Sequence, residues 1–141
     1  MDSTLLYGAN VNANGIRQHF LRYGGADGVR AGRPAVILIP GITSPAVTWG
    51  FVGEVLGRQF DTYVLDVRGR GLSEATATLD YGLDAQAADV IALAQALGLE
   101  HYALVGHSMG ARIAIRAARS AQEGLTRTVL VDPPVSGPGF M

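Results

Sequence analysis

The chain has 141 residues, 48% of them hydrophobic, enough for one domain with its own core and too few for two ordinary ones. Its 11 Lys and Arg are scattered and balanced by 12 Asp and Glu, so the electrostatic footprint of a nucleic-acid or anionic-membrane binder is missing and a small-molecule partner is expected. The absence of cysteine excludes disulfides, thiolate nucleophiles and cysteine-type zinc sites, and without a signal peptide or an apolar run of membrane-spanning length the expected location is the cytoplasm.

The first 23 residues, ending in GIRQHFLRY, mix apolar and polar positions and predict a short antiparallel pair of strands. His19 falls in this pair, where a surface or packing role is expected. A Gly-rich loop, GGADGVRAGRP (24 to 34), separates it from a different texture. AVILI (35 to 39), TYVLDV (62 to 67), YALVG (102 to 106) and TRTVLV (126 to 131) are apolar on consecutive positions, the pattern of parallel strands buried on both faces. Helices are expected between them, from Pro45 (PAVTWGFVGEVLGRQ), from Tyr81 (YGLDAQAADVIALAQALG) and from Ser108 (SMGARIAIRAARSAQ). In the second, Leu83, Ala87, Val90, Ile91, Ala94 and Leu97 recur at helical spacing and Gly98 marks the stop. Alternating strand and helix predict an α/β domain with a mostly parallel sheet. The terminal DPPVSGPGFM breaks any regular element, and no repeat is present.

GHSMG (106 to 110) fits the G-x-S-x-G turn, with a buried strand before it and an Ala-rich helix after. Such a turn strains the serine backbone and lifts its hydroxyl to the carboxyl edge of the sheet, and a side chain at 106 or 110 is expected to collide with neighbouring chain. Ser108 is therefore the candidate nucleophile; an N-capping serine in an ordinary strand-to-helix turn is the alternative. Acyl transfer also needs donors for an oxyanion. The amide of Met109, first in the helix, is one candidate, and the amide of Ile42, in the PGITSP loop (40 to 45) after the first core strand, is the second. Neither G-x-x-x-x-G-K-[ST] nor G-x-G-x-x-G occurs, so a phosphate cradle is not expected.

PGITSP, DVRGRGLS (66 to 73) and GHSMG, each following a strand, together with LDAQAADVIALAQALGLE, resemble the first half of the α/β-hydrolase superfamily over nearly the whole chain. Within it, YVLDVRGRGLS, YGLDAQAADV, GHSMGARIAIRAAR and LVDPPVSGPG are most similar to the N-formylmaleamate deformylases, amidohydrolases of nicotinate breakdown. The resemblance implies a serine hydrolase that needs no cofactor or metal and releases formate from an N-formyl amide of a small dicarboxylic acid. An esterase or carbon–carbon bond hydrolase of the same superfamily, or a binding fragment whose turn is a relic of the fold, are the rival readings. In the D-x-R-G-x-G-x-S loop, Asp66 could serve as a catalytic acid; the preferred expectation is that Asp66, Arg68 and Ser73 tie the loop together through side-chain to backbone hydrogen bonds.

A serine hydroxyl needs a base within hydrogen-bond reach, and the base needs a group to orient it. His107 precedes Ser108 on a strand, where consecutive side chains face opposite ways, and is expected to pack beneath the turn. His101 begins the same strand, roughly 23 Å from its end at 3.3 Å per residue. In α/β-hydrolases the order is serine, acid, histidine, and no histidine follows Ser108 here. Asp132 ends the strand TRTVLV at the carboxyl edge and is the candidate acid, with an Asp-Pro-Pro turn as the alternative; a minority of the family places the acid there. TRTVLV would form an apolar, unpaired edge if the sheet ended with it. The expectation is thus that residues 1–141 are the N-terminal portion of a single α/β-hydrolase domain, with the remaining strands, the lid and the catalytic histidine supplied by further chain or by a second chain.

Overall fold

A computed structural model of the chain describes residues 4–24, 34–41, 45–75, 80–120 and 123–132. The expected N-terminal pair is a hairpin of β1 (Leu5–Ala13) and β2 (Ile16–Tyr23). Its two-residue turn, Asn14-Gly15, has positive φ at both positions, the twist that matches two antiparallel strands. The four apolar runs form β3 (Ala35–Ile39), β4 (Asp61–Asp66), β5 (Tyr102–His107) and β6 (Leu125–Val131). They join the hairpin in one six-stranded sheet of order β1-β2-β4-β3-β5-β6, antiparallel from β1 to β4 and parallel from β4 to β6. This is the α/β architecture with a mostly parallel sheet that the sequence predicts.

The helix expected from Pro45 is divided: a 3₁₀ turn, Ala46–Trp49, leads into a short α1 (Gly50–Leu56). Its shortness follows from close approach to the hairpin, because a Cβ on Gly53 would lie 2.6 Å from the Tyr23 ring and one on Gly57 2.6 Å from Thr4 Oγ1. The other two helices, α2 (Leu83–Ala96) and α3 (Met109–Ser120), lie within the expected ranges. At the end of α2, Gly98 N–H donates to Gln95 and Leu99 N–H to Ala94, the paired bonds of a Schellman stop.

Strand alternation sorts the core into two layers. Ile37, Ile39, Tyr63, Leu65 and Leu104 face α2 and α3 with Val90, Leu93, Ile113 and Ala114, whereas Leu38 and Val64 face the other way with Tyr23, Ala46, Trp49 and Val52. Right-handed crossovers require this division, since the chain steps from β3 to β4 on one side and then to β5 on the other. The direction of winding thus reverses around β3, and the crevice outside the carboxyl ends of β3 and β5 is where such sheets bind ligands. β6 is the outer strand at the far edge, and its Val129, Leu130 and Val131 are exposed. Among the described residues no helix is long and apolar enough to cross a membrane.

Candidate active site

Ser108 stands at that crevice, between the last residue of β5 and the first of α3, with φ of 55°. A non-glycine residue in the left-handed region carries a conformational cost that only surrounding packing maintains. Here the packing is backbone against backbone. A Cβ on Gly110 would overlap the carbonyl oxygen of Ile39 and come 2.7 Å from that of Pro40, and one on Gly106 would come 2.6 Å from the carbonyl carbon of Gly110. Strand β3 and helix α3 are therefore pressed together across the turn, which explains why glycine occupies both positions. Gly110→Ala should cost at least about 2 kcal/mol, because no side-chain rotation relieves the overlap; urea denaturation of the variant measures it.

The turn also fixes what surrounds the hydroxyl. Ser108 carbonyl accepts the Ala111 N–H at 2.9 Å, which makes Met109 the first helical residue, with its amide ahead of the first intrahelical bond. Gly41 backs onto the serine: a Cβ there would lie 3.4 Å from Ser108 Cβ and 3.7 Å from His107 Nδ1. Ile42 lies outside the described residues. On the other side, Ser108 N–H donates to the Val131 carbonyl at 3.1 Å, so the turn is stitched to the end of β6. Asp132 follows immediately, exposed and with φ of 48°, where the chain turns off the strand. Ser108 and Asp132 are thus brought to neighbouring positions on one edge of the sheet.

The three histidines lie elsewhere. His107 sits against Trp49, ring centroids 4.7 Å apart, with its Nδ1 buried and unpartnered among the described residues. His101 is exposed just ahead of β5, at the opposite edge from the serine. His19 is neither a surface nor a simple packing residue. It is buried, and its Nδ1 is 2.8 Å from Asp66 Oδ2, a pairing created by the register of β2 with β4, which sets His19 directly opposite Asp66. Sequence reasoning missed this couple because the two residues are 47 apart and β2 pairs with β4 rather than with β3, the next strand in the chain.

Asp66 behaves as the tie expected of it, and on a larger scale. Its Oδ1 accepts the Ala46 N–H at 2.5 Å, its Oδ2 accepts the Leu72 N–H at 3.1 Å, and its carbonyl accepts the Ser73 hydroxyl at 2.5 Å. Ser73 Oγ in turn accepts the His19 N–H at 2.8 Å. Gly71, at φ of 51°, lets the loop close on the carboxylate, since any Cβ there would overlap it. Arg68 departs from the expectation of backbone contacts alone. It gives one hydrogen bond to the Asp80 carbonyl, but its main partner is Asp89 of α2, held at 2.7 Å from Nε and 2.6 Å from the second terminal nitrogen. Those hydrogen bonds outweigh desolvation and raise the guanidinium pKa above its ordinary value. No group of three or more His, Asp or Glu able to hold a metal occurs among the described residues.

A strained serine at a helix N-terminus, on the edge of the sheet that also carries Asp132, is an arrangement able to take an acyl group once a base is provided. The model of the alpha/beta hydrolase fold family matches residues 34–141. N-formylmaleamate deformylase of Pseudomonas putida is 67% identical over 137 residues, which cover 97% of this chain and 49% of that protein. The crystal structure of an N-formylmaleamic acid deformylase from another strain of that species superposes with a TM-score of 0.83 at 58% identity, over 94% of this chain and 49% of that one. An epoxide hydrolase from Vigna radiata shares the fold, with a TM-score of 0.82 at 24% identity over 96% of this chain and 43% of its own. The chain spans about half the length of the deformylases it matches.

Proposed function

The chain belongs to the α/β-hydrolase fold family, and from that premise we propose that it carries the nucleophile half of a serine hydrolase that removes the formyl group from N-formylmaleamate or a closely similar amide. The observation that carries this reading is Ser108 at φ of 55°, held there by the backbone contacts of Gly106 and Gly110 at the mouth of the crevice. The substrate class is supported by the 67% identity to a deformylase.

In this mechanism Ser108 Oγ attacks the formyl carbonyl while a histidine accepts its proton. The Met109 and Ile42 amides stabilise the oxyanion, charge that develops only in the transition state and is therefore worth most to the rate. Collapse breaks the carbon–nitrogen bond, the histidine returns the proton to the departing amide nitrogen, and maleamate leaves. Water then hydrolyses the formyl ester on Ser108, giving formate and the free hydroxyl. No cofactor enters these steps. Asp132 orients the histidine, which is none of the three in this chain and comes from the part of the fold that the deformylases have beyond the matched half, in the same chain or a second one. The exposed Val129, Leu130 and Val131 of β6 are where that part docks.

A fluorophosphonate probe tests the reading. The full-length protein should be labelled at Ser108, and the 141-residue chain alone should label at least about 100-fold more slowly, because general-base assistance is worth that much or more. Equal labelling of both would place the base within these residues and overturn the assignment; no labelling of the full-length protein would favour a binding role. Release of formate, measured directly, separates deformylation from ester or carbon–carbon bond hydrolysis.

A further inference from the structure

We infer that the hairpin tip Asn14-Gly15 is a site of spontaneous deamidation, a covalent modification that turns a hydrogen-bond donor to the buried Asp89–Arg68 pair into an acidic group beside it. Three asparagines occur in the chain, Asn10, Asn12 and Asn14, and all lie in this hairpin. Asn10 and Asn12 precede Val11 and Ala13 inside β1, where they pair in register with His19 and Arg17 of β2. Asn14 alone precedes a glycine and stands in the turn. Both tip residues are exposed, the Gly15 N–H makes no hydrogen bond among the described residues, and a Cβ on Gly15 would meet nothing within 4 Å. Glycine thus leaves the nitrogen that must react unshielded and its backbone free to turn toward the preceding side chain.

The reaction consumes only water. Solvent base takes the proton of the Gly15 N–H, and the nitrogen forms a bond to Asn14 Cγ, closing a cyclic imide. The Cγ–Nδ2 bond breaks, and Nδ2 takes up a proton and leaves as ammonia. Water then opens one of the two imide carbon–nitrogen bonds, giving aspartate where the main chain is restored or isoaspartate where it runs through the side chain. The fold gives this change its consequence. Asn14 Nδ2 donates to Asp89 Oδ1 at 2.8 Å, the oxygen that Arg68 also holds at 2.6 Å. An ionised carboxylate only accepts, so either product loses that bond and sets a second negative charge facing Asp89 beside one guanidinium. Isoaspartate also adds an atom to the main chain, and the tip has no slack for it. Ala13 and Ile16, paired on either side of it, are buried, and Gln18 Nε2 donates both to the Ala13 carbonyl at 3.2 Å and to the Asp89 carbonyl at 3.1 Å. Modification of one exposed residue is thereby felt where the hairpin, the loop after β4 and α2 meet.

The test keeps the full-length protein folded in mildly alkaline buffer for several days and then sequences, by mass spectrometry, the tryptic peptide ending at Arg17, which holds all three asparagines. The peptide should gain about 1 Da at Asn14 at least about tenfold faster than at Asn10 or Asn12. An isoaspartyl methyltransferase with a labelled methyl donor should mark the aged protein. Asn14→Gly keeps the turn and cannot react, so its peptide should gain no mass at the tip. Asn14→Asp also keeps the turn and reproduces the charge; because the tip is exposed and solvent screens part of the repulsion, its melting temperature should fall by only about 2–4 °C at neutral pH. Conversion at equal rates at the three asparagines, or none at Asn14, would overturn the site. An unchanged melting temperature in Asn14→Asp would overturn its coupling to Asp89.

Discussion

Ser108→Ala in the full-length protein should reduce kcat for N-formyl amide hydrolysis by about 10⁴-fold or more, the scale on which serine hydrolases lose turnover with the nucleophile. The substitution is unusually clean here. Among the described residues the Ser108 hydroxyl makes no hydrogen bond, so deleting it orphans no buried partner. Alanine inherits the same positive φ, and the backbone contacts of Gly106 and Gly110 that impose it are untouched. The melting temperature should therefore move by no more than a few degrees, within what a lost N-cap of about 1 kcal/mol would give. Substrate affinity, read as KM or by direct titration, should remain within a few-fold. Turnover at the wild-type rate would show that the strained serine is not the nucleophile. A collapse of turnover together with a collapse of the melting temperature would instead make Ser108 a structural residue of the turn.

Much of this site can be read from the sequence because its determinants are local. Strand, G-x-S-x-G and helix occupy consecutive residues, so the glycines needed for close approach and the serine they hold at positive φ appear in one short pattern. Strands β3 and β4 were legible for a similar reason: burial on both faces leaves Val36 to Ile39 and Tyr63 to Leu65 consecutively apolar, with no room for a helical period. What could not be read depends on strand order. His19 looks like any polar residue of a half-exposed hairpin until β2 is known to pair with β4, and then it faces Asp66 in register. Arg68 looks like a loop residue until α2 is known to carry Asp89 inward, on a helix whose charged residue is buried among Val90, Leu93 and Ala94. The helix from Pro45 came out shorter than its hydrophobic pattern, because Gly53 and Gly57 serve contact with Tyr23 and Thr4 rather than helix propensity.

Asp89 gives the second large expected effect. Asp89→Ala should destabilise the full-length protein by about 3–5 kcal/mol, the cost of leaving one member of a buried ion pair without its partner. The pair is held out of water, with side-chain exposures of 6% for Arg68 and 3% for Asp89, so solvent cannot replace the lost carboxylate. Three elements meet on this residue. Arg68 reaches it from the loop after β4, Asn14 Nδ2 donates to Oδ1 at 2.8 Å from the hairpin turn, and Gln18 Nε2 donates to its carbonyl at 3.1 Å from β2. Removing the side chain leaves the guanidinium with the Asp80 carbonyl and takes from the Asn14 amide its bond to Oδ1. The double change Arg68→Met with Asp89→Leu should be more stable than Asp89→Ala, since a buried pair exchanged for apolar groups costs less than a broken one. Urea denaturation of the two variants gives both values, and a loss below about 1 kcal/mol for Asp89→Ala would mean that the pair is open to water.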